Sequence, residues 1–261
     1  MTRKLIDLIL FANIWISLGA VGVSMTTFIL CNIKIDIYYL ILVFFATLFG
    51  YNLQNLSSRT LNKDRSKQMV WIQSNFSFLK MIVLVSLFFT ILFSFYSLSW
   101  KAAALSIPFL LLVVCYRVSI FRKVKFRTIP GLKIFIIVIC WSWTCCLLPQ
   151  LLFTSQISWP LVLFISFYIF IITIPFDVRD LSFDEQIKTI PQMIGRQNSF
   201  LLIISILILL LSFTVFNNYF KISIFLFLTI LVLIPSKNKN NEYYYLLIID
   251  GLLILMPIFV L

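Results

Sequence analysis

Apolar positions in this chain neither alternate with polar ones nor recur on a single face. They run on for about twenty residues at a time, and the polar residues gather between the runs. Wound as a helix at about 1.5 Å per residue, such a run matches the roughly 30 Å hydrocarbon thickness of a bilayer. In lipid, only helices and closed barrels satisfy every backbone polar group, and barrel strands would show alternation. The pattern predicts an all-α integral membrane protein: a bundle of about nine transmembrane helices, near 5–31, 37–56, 76–99, 102–121, 132–153, 157–176, 200–216, 220–235 and 243–261. Spans with short connections fill the length, so one transmembrane domain over 1–261 is expected.

Composition agrees and the charges add an orientation. The chain is 62% hydrophobic and 11% charged, against about 25% charged residues in soluble domains. With the N-terminus cytoplasmic, Arg3, Lys4, Arg59, Lys63, Arg65, Lys67, Arg117, Arg122, Lys123, Lys125, Arg127, Arg179, Lys188, Arg196, Lys237 and Lys239 fall on the inner side with Lys80 and Lys133 close to it, leaving Lys34, Lys101 and Lys221 outside. The first span begins like a signal peptide, but its apolar run outlasts the usual apolar core of one and reads as a retained helix. The net charge of +12 follows from this inside bias and from contact with anionic headgroups of the bilayer. No folded soluble surface is left for nucleic acid, so no nucleic-acid partner is expected. Cys31, Cys115, Cys140, Cys145 and Cys146 lack metal-ligand spacing and there is no histidine, which makes them packing residues. Asp7 and Asp250 are isolated acids in or near spans, each either functional or paired with a neighbouring helix or an interface.

One stretch breaks the charge rule. In PFDVRDLSFDEQIKTIPQMIG, residues 175–195, stand Asp177, Asp180, Asp184 and Glu185, four of the nine acidic residues in the protein. At about 100° per residue, Asp177, Asp180, Asp184 and Lys188 fall near 0°, 300°, 340° and 20°, on one face of a helix. Like charges at that spacing repel unless a cation or water neutralises them. Mg²⁺ typically takes one or two carboxylates and completes its shell with water and phosphate oxygens. A metal-bridged phosphate site is one reading. A solvated loop whose acids pair with Arg179, Lys188 and Arg196 is the other.

Asp177-Val178-Arg179-Asp180-Leu181-Ser182-Phe183-Asp184 resembles the second acidic signature, Asp-x-x-Asp-x-x-x-Asp, of the UbiA-type intramembrane prenyltransferases, and Lys188-Thr189-Ile190-Pro191 with Gly195 resembles its continuation. The resemblance implies nine helices, a site at the cytoplasmic end of the bundle, and Mg²⁺ held against an isoprenyl diphosphate whose prenyl group passes to a hydrophobic, aromatic or lipid, acceptor. The family's first motif, Asn-Asp-x-x-Asp-x-x-x-Asp, corresponds to Tyr51-Asn52-Leu53-Gln54-Asn55-Leu56-Ser57-Ser58-Arg59. Its spacing persists without its carboxylates. Asparagine offers a neutral oxygen, while arginine repels Mg²⁺ and binds phosphate bidentately.

The resemblance thus implies metal ligands Asp177, Asp180 and Asp184, catalytic residues Arg59 and Lys188, and substrate-binding residues Asn52, Asn55, Arg59 and Arg117. For most of the basic residues the positive-inside rule is a sufficient explanation, and Arg59 is set apart by its motif position. Two functions remain open: a UbiA-like prenyltransferase with a divergent active site, or a non-catalytic isoprenoid-binding or scaffold membrane protein of the same fold.

Overall fold

A computed structural model describes residues 2–56, 66–116, 129–182, 188–237 and 241–261. All regular structure among them is helical: α1 (Thr2–Phe11), α2 (Ile14–Leu30), α3 (Ile37–Leu56), α4 (Lys67–Ser74), α5 (Phe76–Ser97), α6 (Trp100–Cys115), α7 (Leu132–Phe153), α8 (Trp159–Arg179), α9 (Ile190–Phe216), α10 (Phe220–Ser236) and α11 (Tyr244–Phe259). Each of the nine apolar segments expected from sequence carries helix. Five of them, α3, α5, α7, α8 and α9, are long and apolar enough to cross a membrane, and α1 with α2 makes a sixth if the bent pair is one span. The helices α6, α10 and α11 are apolar but shorter.

The bundle is held by neighbouring pairs: α2 lies against α3 and α11, α3 against α5, and α8 between α7 and α9. Small residues set the closest approach. A Cβ on Gly22 would come within 2.4 Å of the Leu253 carbonyl oxygen, and one on Gly19 within 3.1 Å of the Leu253 Cβ. Without a hydrophobic force between helices in lipid, such close backbone contact is what favours association. Polar groups inside the bundle are bonded locally, as lipid offers no water. Tyr39 donates to the Thr144 carbonyl at 2.6 Å, Tyr245 to the Ser236 carbonyl at 2.9 Å, and the Tyr168 and Thr229 hydroxyls lie 3.2 Å apart.

Three departures from straight α-helix matter for function. The chain bends by 58° between α1 and α2, where Asn13 takes a left-handed conformation with φ 62°. Residues Trp143–Leu147 in α7 and Tyr244–Ile249 in α11 are wound as π-helix, a local widening that frees carbonyls and recurs at functional sites. Near its start α9 is interrupted at Gly195, whose φ of 83° and open surroundings suit a residue without a Cβ.

At the end of the bundle where α3 and α8 finish, a polar clasp joins α1, α4 and α11. The Glu242 carboxylate accepts from the Lys67 and Gln68 amides at 2.6 and 3.0 Å, capping α4 together with Ser66, and Tyr243 donates to Asp7 at 2.5 Å. The Asp7 carboxylate holds the Tyr243 phenol proton and so raises its pKa. Of the two isolated acids, Asp7 therefore has its partner on a neighbouring helix.

Candidate active site

The second acidic motif lies where α8 runs out. Asp177 is on the last turn, Arg179 closes the helix, and Asp180–Ser182 continue as a single 3₁₀ turn. The helix does not extend to Lys188, which sits in extended chain before α9, so the common helical face expected for Asp177, Asp180, Asp184 and Lys188 does not persist across the segment. Asp184 itself lies outside the described residues, as do Arg59 and Arg117.

Two of the motif's carboxylates are described, and each has a cation. The Lys133 Nζ, from the first turn of α7, meets Asp177 Oδ1 at 2.5 Å; Asp177 is buried, while the lysine side chain keeps 25% of its exposure. Arg179 binds Asp180 through both ends of a fork, Nε to Oδ1 at 2.7 Å and Nη2 to Oδ2 at 3.1 Å. Its guanidinium also lies over the Phe176 and Tyr245 rings, at 5.4 and 5.2 Å from their centroids. The third nitrogen, Nη1, is buried and has no hydrogen-bond partner. The Arg179–Asp180 pair is the one the solvated-loop reading named, whereas Lys133 counted only as a charge near the inner side, and its proximity to Asp177 is what the fold adds.

Lys188 contributes its backbone here. Its carbonyl accepts from the Gly131 amide at 2.8 Å, where Gly131 has φ 71°, and this bond joins the start of α7 to the chain entering α9. The lysine side chain is exposed. Thr189 follows, its amide donating to Gln192 Oε1 at 3.1 Å to cap the first turn of α9.

The counterpart of the first motif, at the end of α3, is built differently. Asn52 is fully buried and belongs to the α1–α2 elbow: its Oδ1 accepts from Asn13 Nδ2 at 3.0 Å, and its Nδ2 donates to the carbonyls of Ala12 at 2.9 Å and Leu48 at 2.8 Å. Bending the chain leaves the Ala12 carbonyl without its helical donor, and a side-chain amide, carrying donors as well as an acceptor, meets both needs at once. A carboxylate would meet only one. Asn55, one turn on, is half-buried, and Gln54 donates to the Val113 carbonyl of α6 at 2.5 Å. Tyr51 is half-buried and packs against the core of the bundle.

Hard carboxylate oxygens are the donor type Mg²⁺ requires, and the ion needs only one or two of them. Asp177 fits that demand better than Asp180, because its partner is a flexible, partly exposed lysine, whereas Asp180 is clamped bidentately. Among the described residues no group of three or more His, Cys, Asp or Glu side chains comes together. A separate cavity of ≈ 260 Å³ between α9 and α10, lined by Phe200, Leu207 and Leu233 with Lys237 at its edge, includes no residue of either motif.

Comparison with solved structures places this architecture. A UbiA homologue from Archaeoglobus fulgidus bound to GPP and Mg²⁺ superposes with a TM-score of 0.66 at 13% identity, covering 98% of this chain and 99% of that one. The chain has the UbiA fold. A UbiA homologue from Archaeoglobus fulgidus bound to DMAPP and Mg²⁺ gives 0.64 at 15% identity, over 97% of this chain and 98% of that one. A digeranylgeranylglyceryl phosphate synthase gives 0.53 at 19% identity, over 99% and 98%. No family model and no curated protein sequence matches. Several apolar helices and a fold shared with membrane prenyltransferases make this an integral, multi-pass membrane protein with the UbiA fold along its whole length.

Proposed function

We propose that this protein is a UbiA-like membrane prenyltransferase with a divergent active site. It takes an isoprenyl diphosphate at the end of the bundle where α3 and α8 finish, and transfers the prenyl group to a hydrophobic acceptor. The observation that carries the reading is Asp177 on the last turn of α8 with Lys133 reaching it from α7: an anion and a partly exposed cation side by side in a UbiA fold, of the kinds that hold a metal and a diphosphate. The reading includes nine spans in one domain, the N-terminus and the site on the cytoplasmic side, and Mg²⁺ held by Asp177 and Asp180, with Asp184 as the third motif acid. Bound there, Mg²⁺ would neutralise charge developing on the departing diphosphate. Lys133, released from Asp177, would bind a phosphate oxygen. Arg59 and Arg117 with Lys188 would supply further positive charge, and Asn55 a neutral contact.

A specific observation favours the non-catalytic alternative. Both described acids are already neutralised by internal cations, and Asn52 serves the elbow rather than a ligand. A protein that binds an isoprenoid diphosphate without transferring it would need no more than Lys133 and its basic neighbours.

The experiment is equilibrium binding of geranyl diphosphate to the purified protein in nanodiscs, with and without Mg²⁺, on the parent and on Asp177→Asn. Mg²⁺-dependent binding that Asp177→Asn weakens by about tenfold or more supports the metal site. Binding indifferent both to Mg²⁺ and to Asp177→Asn sinks it in favour of the non-catalytic role.

A further inference from the structure

The cavity between α9 and α10 is polar at one end and apolar everywhere else. Gln197 and Lys237 mark the polar end, Leu207 and Leu233 are buried at its floor, and Leu201 and Ile234 are exposed at its rim, where it opens toward lipid. At about 1.5 Å per residue, Gln197 to Leu207 spans about 15 Å of α9. That is half the roughly 30 Å hydrocarbon thickness of a bilayer, the depth of one leaflet. The polar end lies on the side of the acid motif: Tyr245 donates to the Ser236 carbonyl on the last turn of α10 at 2.9 Å, and the same ring carries the Arg179 guanidinium 5.2 Å from its centroid.

Two cations meet at that end. The α10 helix stops at Ser236, and Arg196 Nη2 donates to the Lys237 carbonyl, satisfying one of the orphan carbonyls of the helix terminus. Both side chains are exposed, and among the described residues neither has a carboxylate partner. The positive-inside rule accounts for a basic residue at each helix end, but not for a bond that ties two of them together at the polar end of an apolar cavity. Cations so placed favour an anion between them.

An apolar hollow of ≈ 260 Å³ stays dry, because a water needs several polar partners, and left empty its walls lose dispersion contacts. A hydrocarbon chain fills it. A chain that carries an anion at one end satisfies both halves of the cavity. A choline headgroup would bring its own cation beside two others, and an isoprenyl diphosphate with its Mg²⁺ would find no carboxylate among the lining residues. We infer that the groove between α9 and α10 binds an anionic phospholipid of the leaflet on the acid motif's side, with an acyl chain between Leu207 and Leu233 and the headgroup phosphate held by Lys237, Arg196 and the Gln197 side chain. The site stands apart from the diphosphate reading, which uses none of these three residues.

The test uses the full chain in phosphatidylcholine nanodiscs doped with a phosphatidylglycerol whose acyl chain carries a diazirine, the photo-cross-links being mapped by peptide mass spectrometry. Cross-links should concentrate on segments 200–207 and 230–234, at several times the yield of a diazirine phosphatidylcholine with the same chain. Lys237→Gln keeps the carbonyl that receives Arg196 and removes one charge. It should lower the phosphatidylglycerol yield about fivefold, the equivalent of about 1 kcal/mol for one basic residue at a membrane surface, and leave the phosphatidylcholine yield unchanged. The lipid comparison on the parent decides the matter whether or not the variant folds. Equal yields from the two lipids, or labels spread evenly round the bundle, overturn the site. Suppression of phosphatidylglycerol labelling by inorganic phosphate or by geranyl diphosphate overturns it too, the first leaving a surface anion contact without a chain and the second giving the groove to the prenyl donor.

Discussion

The ends of α3 and α8 occupy equivalent places in the two halves of the acid pattern, yet the chain uses them in opposite ways. At the end of α8, Asp177 and Asp180 hold a partly exposed and a forked cation. At the end of α3, Asn52 has every polar atom of its side chain bonded inside the protein, joining the α1–α2 elbow to the body of the bundle. One end gathers ion pairs, and the other is scaffold. The lesson is that where the resembled motif has an acid, the buried carbonyls around Asn52 set demands of their own, and those demands oppose an acid there.

The sharpest way to break this comparison is Asn52→Leu. It strands the Ala12 carbonyl and the Asn13 amide in a dry core, at about 1–3 kcal/mol for each unsatisfied group. A fall in thermal stability corresponding to roughly 3 kcal/mol is expected, read by tryptophan fluorescence in detergent. Asn52→Asp should lose most of the same stability, since its oxygens would face carbonyls with no donor to offer. A variant that melts with the parent would show that the elbow does not depend on Asn52.

Next in size is Lys133→Ala. Removing this partner weakens the compensation of the buried Asp177 carboxylate, and the loss should be on the order of 1–3 kcal/mol, discounted because the lysine is partly exposed. Added Mg²⁺ should recover much of this and should raise the melting temperature of the variant more than that of the parent, since an ion binding only the folded state stabilises it by mass action. No greater Mg²⁺ response in Lys133→Ala would remove Asp177 from the list of metal ligands.

A smaller effect tests the chain between motif and membrane. Gly195→Ala places a Cβ on a residue with φ 83°, in open space, so the cost is backbone strain alone, about 1 kcal/mol. Gly195→Asn should cost as much, because its tolerance of positive φ is confined to ψ of about +45°, far from the ψ of 159° here. Equal melting of both variants and the parent would mean the kink at the start of α9 is not held in that conformation.

Much of this was legible in the chain, and unevenly so. The apolar runs foretold where helices lie, because lipid leaves a polar backbone no alternative, and all nine segments carry helix. They could not foretell the elbow at Asn13 or the π-turns, which answer to contacts between helices distant in sequence. The acid motif was visible as a charge anomaly and Arg179 as a candidate partner of its acids, but Lys133 was not, because in a loop-rich basic sequence it looks like any other inside charge. Asn52 shows the limit most plainly. Aligned spacing suggested a ligand, and only the Ala12 carbonyl forty residues away explains why an amide is there.

The smallest effect is expected at Lys188, and it separates the two ends most cleanly. Lys188 holds the fold through its backbone, by the bond from the Gly131 amide to its carbonyl, and its side chain is exposed. Replacing the side chain leaves that bond untouched. Lys188→Ala should therefore melt within about 0.5 kcal/mol of the parent, as exposed substitutions do. If the end of α8 binds a diphosphate, removing a positive charge at its margin should weaken geranyl diphosphate binding a few-fold, and the deficit should shrink at high salt as exposed charges are screened. Stability and binding thus come apart at Lys188, whereas at Asn52 they must fall together. A Lys188→Ala protein that is destabilised as much as Asn52→Leu would erase the distinction between a chemical end and a structural one. A protein of normal stability whose binding ignores both the substitution and the salt would confine the diphosphate contacts to Lys133 and the more deeply set cations.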